Sequence, residues 1–228
     1  MTATSQSRIF LCDEGPIAQT TALQTRAVFP GVPFLHAFHD HLMAPGASVS
    51  FTLTPSSSHF LLPLSGALHY TDALHEGHYI AAGQAQVINT NALSKCRIQN
   101  PFGNDYINFL HIQIPGAAAE PTGAATIITY DDVNLHLNRW LPVSPGKNEQ
   151  TTASALLSVA KFSGRGEAIY TASSPRNQVL VYAIEGAFET AGCLLHARDG
   201  LLLSGHSGIE AEALSNDAIA LLLELYCQ

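Results

Sequence analysis

Histidine supplies most of the chemistry this sequence could perform. Eleven are present, and His39 and His41, in the run LHAFHDH from Leu35 to His41, stand two apart. On a strand that spacing turns both imidazoles to one face, which is half of a metal site. With His59 or His111 from neighbouring strands, the pair would hold a divalent transition metal. The commoner origin of such a pair is two solvated side chains beside Asp40 at a strand end, because H-x-H alone has little specificity.

His111 lies in the segment Ile107 to Ile114, whose faces read Ile107, Phe109, His111, Gln113 and Asn108, Leu110, Ile112, Ile114. Alternation leaves open which face looks inward. If the first does, His111 is a polar group in an apolar cavity with a pKa open to shift, though most such histidines are simply satisfied core residues. His69, His75 and His78 flank a hairpin from Thr71 to Gly77, and His136, His196 and His206 lack partners at ligand spacing, so all six are expected at the surface.

The run Ser56-Ser57-Ser58-His59 invites a nucleophile, but neighbours on a strand face opposite ways, so Ser58 and His59 point apart. No G-x-S-x-G elbow is present, and a turn of small polar residues is the expectation. Gly164-x-Gly166 is too short for a phosphate loop and reads as a tight turn.

The elements that must position these residues follow from composition and pattern. With 228 residues, 46% hydrophobic and 12% charged, the chain can bury a core, and disorder is excluded. Ten basic against eighteen acidic residues give a net charge of -8, with the basic ones scattered, which argues against nucleic acid and anionic membranes as partners. Apolar runs such as Ala218 to Leu223 fall far short of the roughly 20 residues of a membrane-spanning helix. The first thirty residues lack a basic stretch followed by an apolar one, so a cytoplasmic protein is expected. Cys12, Cys96, Cys193 and Cys227 are widely spaced, as free thiols would be, which excludes a zinc ribbon or a disulfide framework.

Short apolar segments bounded by turn residues recur: Ser48 to Leu53, His59 to Leu64, Gln86 to Ile88, Ile107 to Ile114, Ala125 to Tyr130, Ala155 to Phe162, Gln178 to Ile184, Gly200 to Leu203 and Ala218 to Leu225. They predict an antiparallel sandwich or barrel with at most one or two short helices. Pro115 to Gly123 and Pro142 to Gly146 carry turn chemistry and bracket a crossover. The flanks are alike: LLPLSGALHYTD then AAGQAQVINT before the crossover, and VLVYAIEGAFET then ARDGLLLSG after it, which predicts two structural repeats.

Ala44-Pro45-Gly46 and LSGALHYTD, Leu64 to Asp72, resemble the A-P-G and L-S-G-A-L-E-H-R-D motifs of the pirin family of bicupins. Gly83 stands where that family opens a strand with P-G-D, and FLHIQI, Phe109 to Ile114, looks like its F-L-Q-I-W-I. The resemblance covers roughly residues 30 to 228. It implies an all-β bicupin, two antiparallel jelly-roll β-barrels in one chain, with an N-terminal barrel over 1–130 and a C-terminal one over 131–228. It also implies a metal, usually iron, held in the first barrel by the two His of H-P-H and a later His and Glu. Those places hold Thr52, Thr54, Cys96 and Ile98, and the general cupin pattern G-x5-H-x-H-x3-E meets Thr52, Thr54 and Ser58. The inherited site is therefore expected to be lost.

Three functions follow as expectations. The first is a small-ligand binding or regulatory protein without a cofactor, using a pocket at Thr52, Thr54, Ser58, Cys96 and Ile98. The second is a quercetinase-like dioxygenase with iron or another divalent metal at a rebuilt site of His39, His41, His59 and His111. The third is a non-catalytic interaction scaffold. Partners are a small organic ligand, with no nucleic acid or membrane, in a monomer or homodimer.

Overall fold

Antiparallel pairing organises nearly everything in the computed structural model, which describes residues 5–73, 76–116, 126–129, 131–143 and 155–226. The described residues are all-β apart from one 3-10 turn, Asp131–Asn134, and fall into two units. Residues 16–73, 76–116 and 126–129 form one; residues 5–15, 131–143 and 155–226 form the other. Among the described residues no helix is long and apolar enough to cross a membrane.

The first unit has a seven-stranded sheet in the order Thr126–Thr129, Gln84–Thr90, Ser57–Ser65, Ile107–Pro115, Ala37–Met43, Leu23–Ala27, Ile17–Gln19. Its second sheet runs Ser48–Leu53, Ser94–Gln99, Ala67–Asp72, His78–Ala81. Alternate residues of both sheets, Met43, Leu61, Ile88, Ile107 and Phe109 from one and Leu53, Leu68, Tyr70, Cys96 and Ile98 from the other, meet in one apolar cluster. That is the interior of a two-sheet jelly roll.

The second unit repeats this order. Its larger sheet runs Gln6–Phe10, Gly200–Ser204, Gln178–Glu185, Ala218–Leu225, Ala155–Phe162, Leu141–Pro142, and its smaller one Glu167–Thr171, Gly208–Ala213, Phe188–Thr190, Cys193–Leu195. The expected repeat is thus present, strand for strand, in the sheet centres. Gly66 and Gly186 make equivalent corners between strands, at φ +76° and +83°. A Cβ at Gly66 would lie 2.6 Å from Ile107 Cγ2, and one at Gly186 2.3 Å from Ser215 Oγ, so both the conformation and the space call for glycine.

Ala155–Phe162 and Ala218–Leu225 fall where the pattern puts them, while His59 to Leu64 lengthens to Ser57–Ser65. LHAFHDH contributes to the interior of a strand, Ala37–Met43, rather than to a strand end. The opening residues behave differently from a barrel over 1–130: Gln6–Phe10 pairs with Gly200–Ser204 in the second unit. Nothing local signals a partner so far along the chain. Parts of the turn segments that bracket the expected crossover, residues 117–123 and 144–146, lie outside the described residues, together with His75 and Cys227. Among the described residues, Cys12, Cys96 and Cys193 form no disulfide.

Candidate functional site in the first barrel

Three neighbouring strands of the large sheet carry the histidines. In register, His111 lies opposite His39 and Phe109 opposite His41, while Gln113 lies opposite His59. Ile107 and Phe109 belong to the interior cluster, so the Ile107, Phe109, His111, Gln113 face looks inward, which alternation had left open. The same parity brings His39, His41 and Met43 inside from one neighbour and Ser57, His59 and Leu61 from the other. His41, His59 and His111 are buried, and His39 is half-buried.

Hydrogen bonds order this group. His59 Nδ1 lies 3.0 Å from His111 Nε2, and His59 Nε2 lies 2.8 Å from Ser57 Oγ. Ser57 Oγ donates to the Thr54 carbonyl at 2.6 Å and lies 3.1 Å from Thr54 Oγ1, which accepts from Gln113 Nε2. With the Ser57 proton on Thr54, Ser57 Oγ accepts from His59 Nε2–H, which leaves His59 Nδ1 to accept from His111 Nε2–H. His41 is fixed from its other side, Nδ1 lying 2.9 Å from Thr25 Oγ1, while its Nε2 is buried without a partner.

Desolvation controls the charge. Burial holds His41 at about 3 and His59 at about 4, and lowers His111 well below the usual imidazole value; it lowers His39 as well. All four rings are therefore neutral near pH 7. Neutral imidazole is the ligating form, but here the rings form a row. Centroids lie 5.6 Å apart for His39 and His41, 6.2 Å for His41 and His111, and 5.3 Å for His111 and His59. His59 and His111 direct their facing nitrogens at each other. Among the described residues no three His, Cys, Asp or Glu groups are placed to hold a metal ion.

Ser57, His59 and His111 have the connectivity of a nucleophile, base and orienting group. Ser57, however, is fully buried and gives its proton to a backbone carbonyl, so the chain holds the barrel end together and offers no nucleophile. Sequence reasoning weighed Ser58 against His59, found that the two point apart, and passed over Ser57, Thr25 and Gln113 as partners. The i, i+2 spacing of Ser57 with His59 was the available signal.

The pocket positions separate. Cys96 and Ile98 come together in the apolar interior. Thr52 is exposed on the opposite face of its strand, because Val49, Phe51 and Leu53 are the residues that pack inward. Ser58 also faces away from His59 and donates to Asn89 Oδ1 at 2.7 Å, whereas Thr54 belongs to the polar chain. Iron coordination needs imidazole or carboxylate groups converging on one point. Thr52, Thr54, Cys96 and Ile98 do not provide that, and burial pushes the Cys96 thiol up to about 12, away from the thiolate a metal would bind. The residues at the family's ligand positions do not fit its metal.

A cleft of about 240 Å³ lies at one end of this barrel. Leu53 and Ile88 from the core line it, with Asp72, Thr90, Ser94 and Lys95 as polar groups. Tyr70 Oη donates to Asp72 at 2.8 Å, anchoring that carboxylate, and burial raises the Tyr70 pKa. Of the histidines expected at the surface, His136 and His196 are exposed. His78 differs: its Nε2 lies 2.9 Å from Oε1 of the buried Gln86. His206 is half-buried with Nε2 unpartnered.

Two jelly rolls with the same strand order in one chain define a bicupin. Residues 144–225 match the family model of the quercetinase C-terminal cupin domain, one of the pirin C-terminal models. No curated protein matches the chain. Among solved structures, YhhW from Escherichia coli superposes with a TM-score of 0.82 at 15% identity, over 98% of this chain and 99% of that one. The bacterial pirin YhhW in complex with nickel(II) gives 0.80 at 15% identity, over 96% and 99%. A quercetin 2,3-dioxygenase from Acinetobacter baumannii gives 0.70 at 13% identity, over 96% of this chain and 78% of that chain. At such identities the structural likenesses speak to the fold. The fold is therefore that of a bicupin, and the C-terminal barrel carries the sequence match to the pirin C-terminal model.

Proposed function

We propose that the first barrel binds a small organic ligand in a binding or regulatory role, without the metal set of the family. One observation carries this reading: the polar-rimmed cleft at Leu53, Ile88, Asp72 and Lys95, which none of the five expected pocket residues lines, takes its floor from the same apolar cluster that holds Cys96 and Ile98. An apolar floor with a few polar groups suits a small amphiphile. Ligand-induced thermal stabilisation across a panel of small polar aromatic and aliphatic compounds tests it. Ala92 lines the cleft from an exposed position, so Ala92→Trp should fill it and remove the shift without unfolding the domain. A full shift retained in that variant rejects the placement.

A second reading, a metal-dependent dioxygenase at a rebuilt site, is favoured by the neutral, buried His41 with its unpartnered Nε2. Elemental mass spectrometry on untagged, metal-loaded protein separates the two. Metal far below one per chain agrees with the ligand module. Stoichiometric metal that disappears when His39 and His41 are replaced together would establish the rebuilt site instead.

A further inference from the structure

The second barrel carries a cleft of its own. It opens between Ala155–Phe162 of the larger sheet and Glu167–Thr171, the edge strand of the smaller one, and has a volume of about 430 Å³. Leu156, Ser158, Ala168, Tyr170, Trp140 and Arg139 are among the residues that line it.

Its two aromatic walls are held in place. Trp140 meets Phe162 edge to face, with centroids 5.8 Å apart at 76°, and packs on the barrel core. Tyr170 Oη donates to Glu224 Oε2 at 2.5 Å. Glu224 is only 1% exposed, and its Oε1 accepts from Ser173 N at 2.8 Å, Ser173 Oγ at 2.7 Å and Asn177 Nδ2 at 2.6 Å. Four donors satisfy the carboxylate without a cation, so Tyr170 is a fixed wall whose hydroxyl is already engaged.

The charge of the cleft is opposite to that of the chain. In a protein of net charge -8, its one charged lining residue is Arg139, which is exposed and paired with no acid among the described residues. Trp140 Nε1 is a further donor with no acceptor among the described residues. A guanidinium beside two fixed rings is an arrangement that recognises a planar anion.

We infer that this cleft binds a small aromatic carboxylate, its ring between Trp140 and Tyr170 and its carboxylate on Arg139. The volume lies within the range of small-molecule sites, and the preset walls limit the entropy lost on binding. This site is independent of the cleft in the first barrel.

Calorimetry on the full chain with benzoate and 1-naphthoate tests the assignment, with the neutral isostere benzamide as control. The carboxylates should bind, benzamide more weakly, and Arg139→Gln should lower carboxylate affinity by about tenfold, the worth of one charge-assisted hydrogen bond. Thr171 lines the cleft from an exposed position, so Thr171→Trp should abolish binding while the thermal midpoint stays put. Ala92→Trp in the first barrel should bind as the parent does. The inference is overturned if neither carboxylate binds at millimolar concentration, if Arg139→Gln binds as tightly as the parent, or if Ala92→Trp is the variant that loses binding.

Discussion

His111 shows what one residue commits the first barrel to. On the neighbouring strand, His59 Nδ1 accepts a hydrogen bond from its Nε2–H at 3.0 Å, and both rings sit where charging is costly. The folded pKa values of His41, His59 and His111 lie below the unfolded value of about 6.5. Below that pH the unfolded chain therefore binds more protons than the folded one. Stability from these groups is complete above about pH 6.5 and is lost as pH falls toward their folded values, at up to about 1.4 kcal/mol per pH unit for each ring. Urea unfolding between pH 7 and 5 should show this steep fall. His111→Gln should flatten the slope by about one proton, whatever it does to stability at pH 8. An unchanged slope would show that His111 does not stay neutral in the folded barrel. The sequence exposed the spacing of His39 and His41 and the chemistry of His111. It did not expose the pairing of His59 with Ser57 and His111, because that depends on which strands lie side by side.

At the level of elements, strand and corner are set by different residues. Short, mostly apolar runs bounded by turn residues make Ile107–Pro115 and Ala218–Leu225 strands, and that pattern is local, so it was legible. The corner after Ser57–Ser65 depends on Gly66, whose absent Cβ leaves room for Ile107 on a strand forty residues away. Gly66→Ala adds a strained positive φ and a clash of 2.6 Å, and should destabilise the first unit by about 1–3 kcal/mol, read as a lower urea midpoint at unchanged m-value. A midpoint within error of the parent would mean that Ile107 moves aside freely. Strand parity also separates the expected pocket: the resemblance puts Thr52 with Cys96, whereas the pleat turns Thr52 outward and Phe51 and Leu53 inward.

Over the whole molecule, the N-terminal strand belongs to the unit that the rest of its neighbouring sequence does not build. Gln6–Phe10 adds to Gly200–Ser204, Arg8 lies over the Phe10 ring at 4.5 Å, and Cys12 N donates to Asp199 Oδ1 at 2.8 Å. In the first unit the strand Thr126–Thr129 fills the equivalent edge beside Gln84–Thr90. Deleting residues 1–12 should uncover the edge of Gly200–Ser204 and speed amide hydrogen exchange there and in the loop at Asp199, while amides of Ser57–Ser65 keep their protection. Protection unchanged along Gly200–Ser204 would show that the added strand contributes little.

The sequence by itself determined the all-β class, the two repeats and the likeness to the pirin bicupins. Those rest on alternation, turn residues and motif positions, all of which are local. Only the tertiary structure decided which face of Ile107–Pro115 looks inward, that four histidines line up as a neutral row rather than around a centre, that Thr52 leaves the interior, and that the first strand joins the second unit. Each depends on pairing between strands far apart in the chain and on the dielectric that packing creates, and neither is written in the spacing of neighbouring residues.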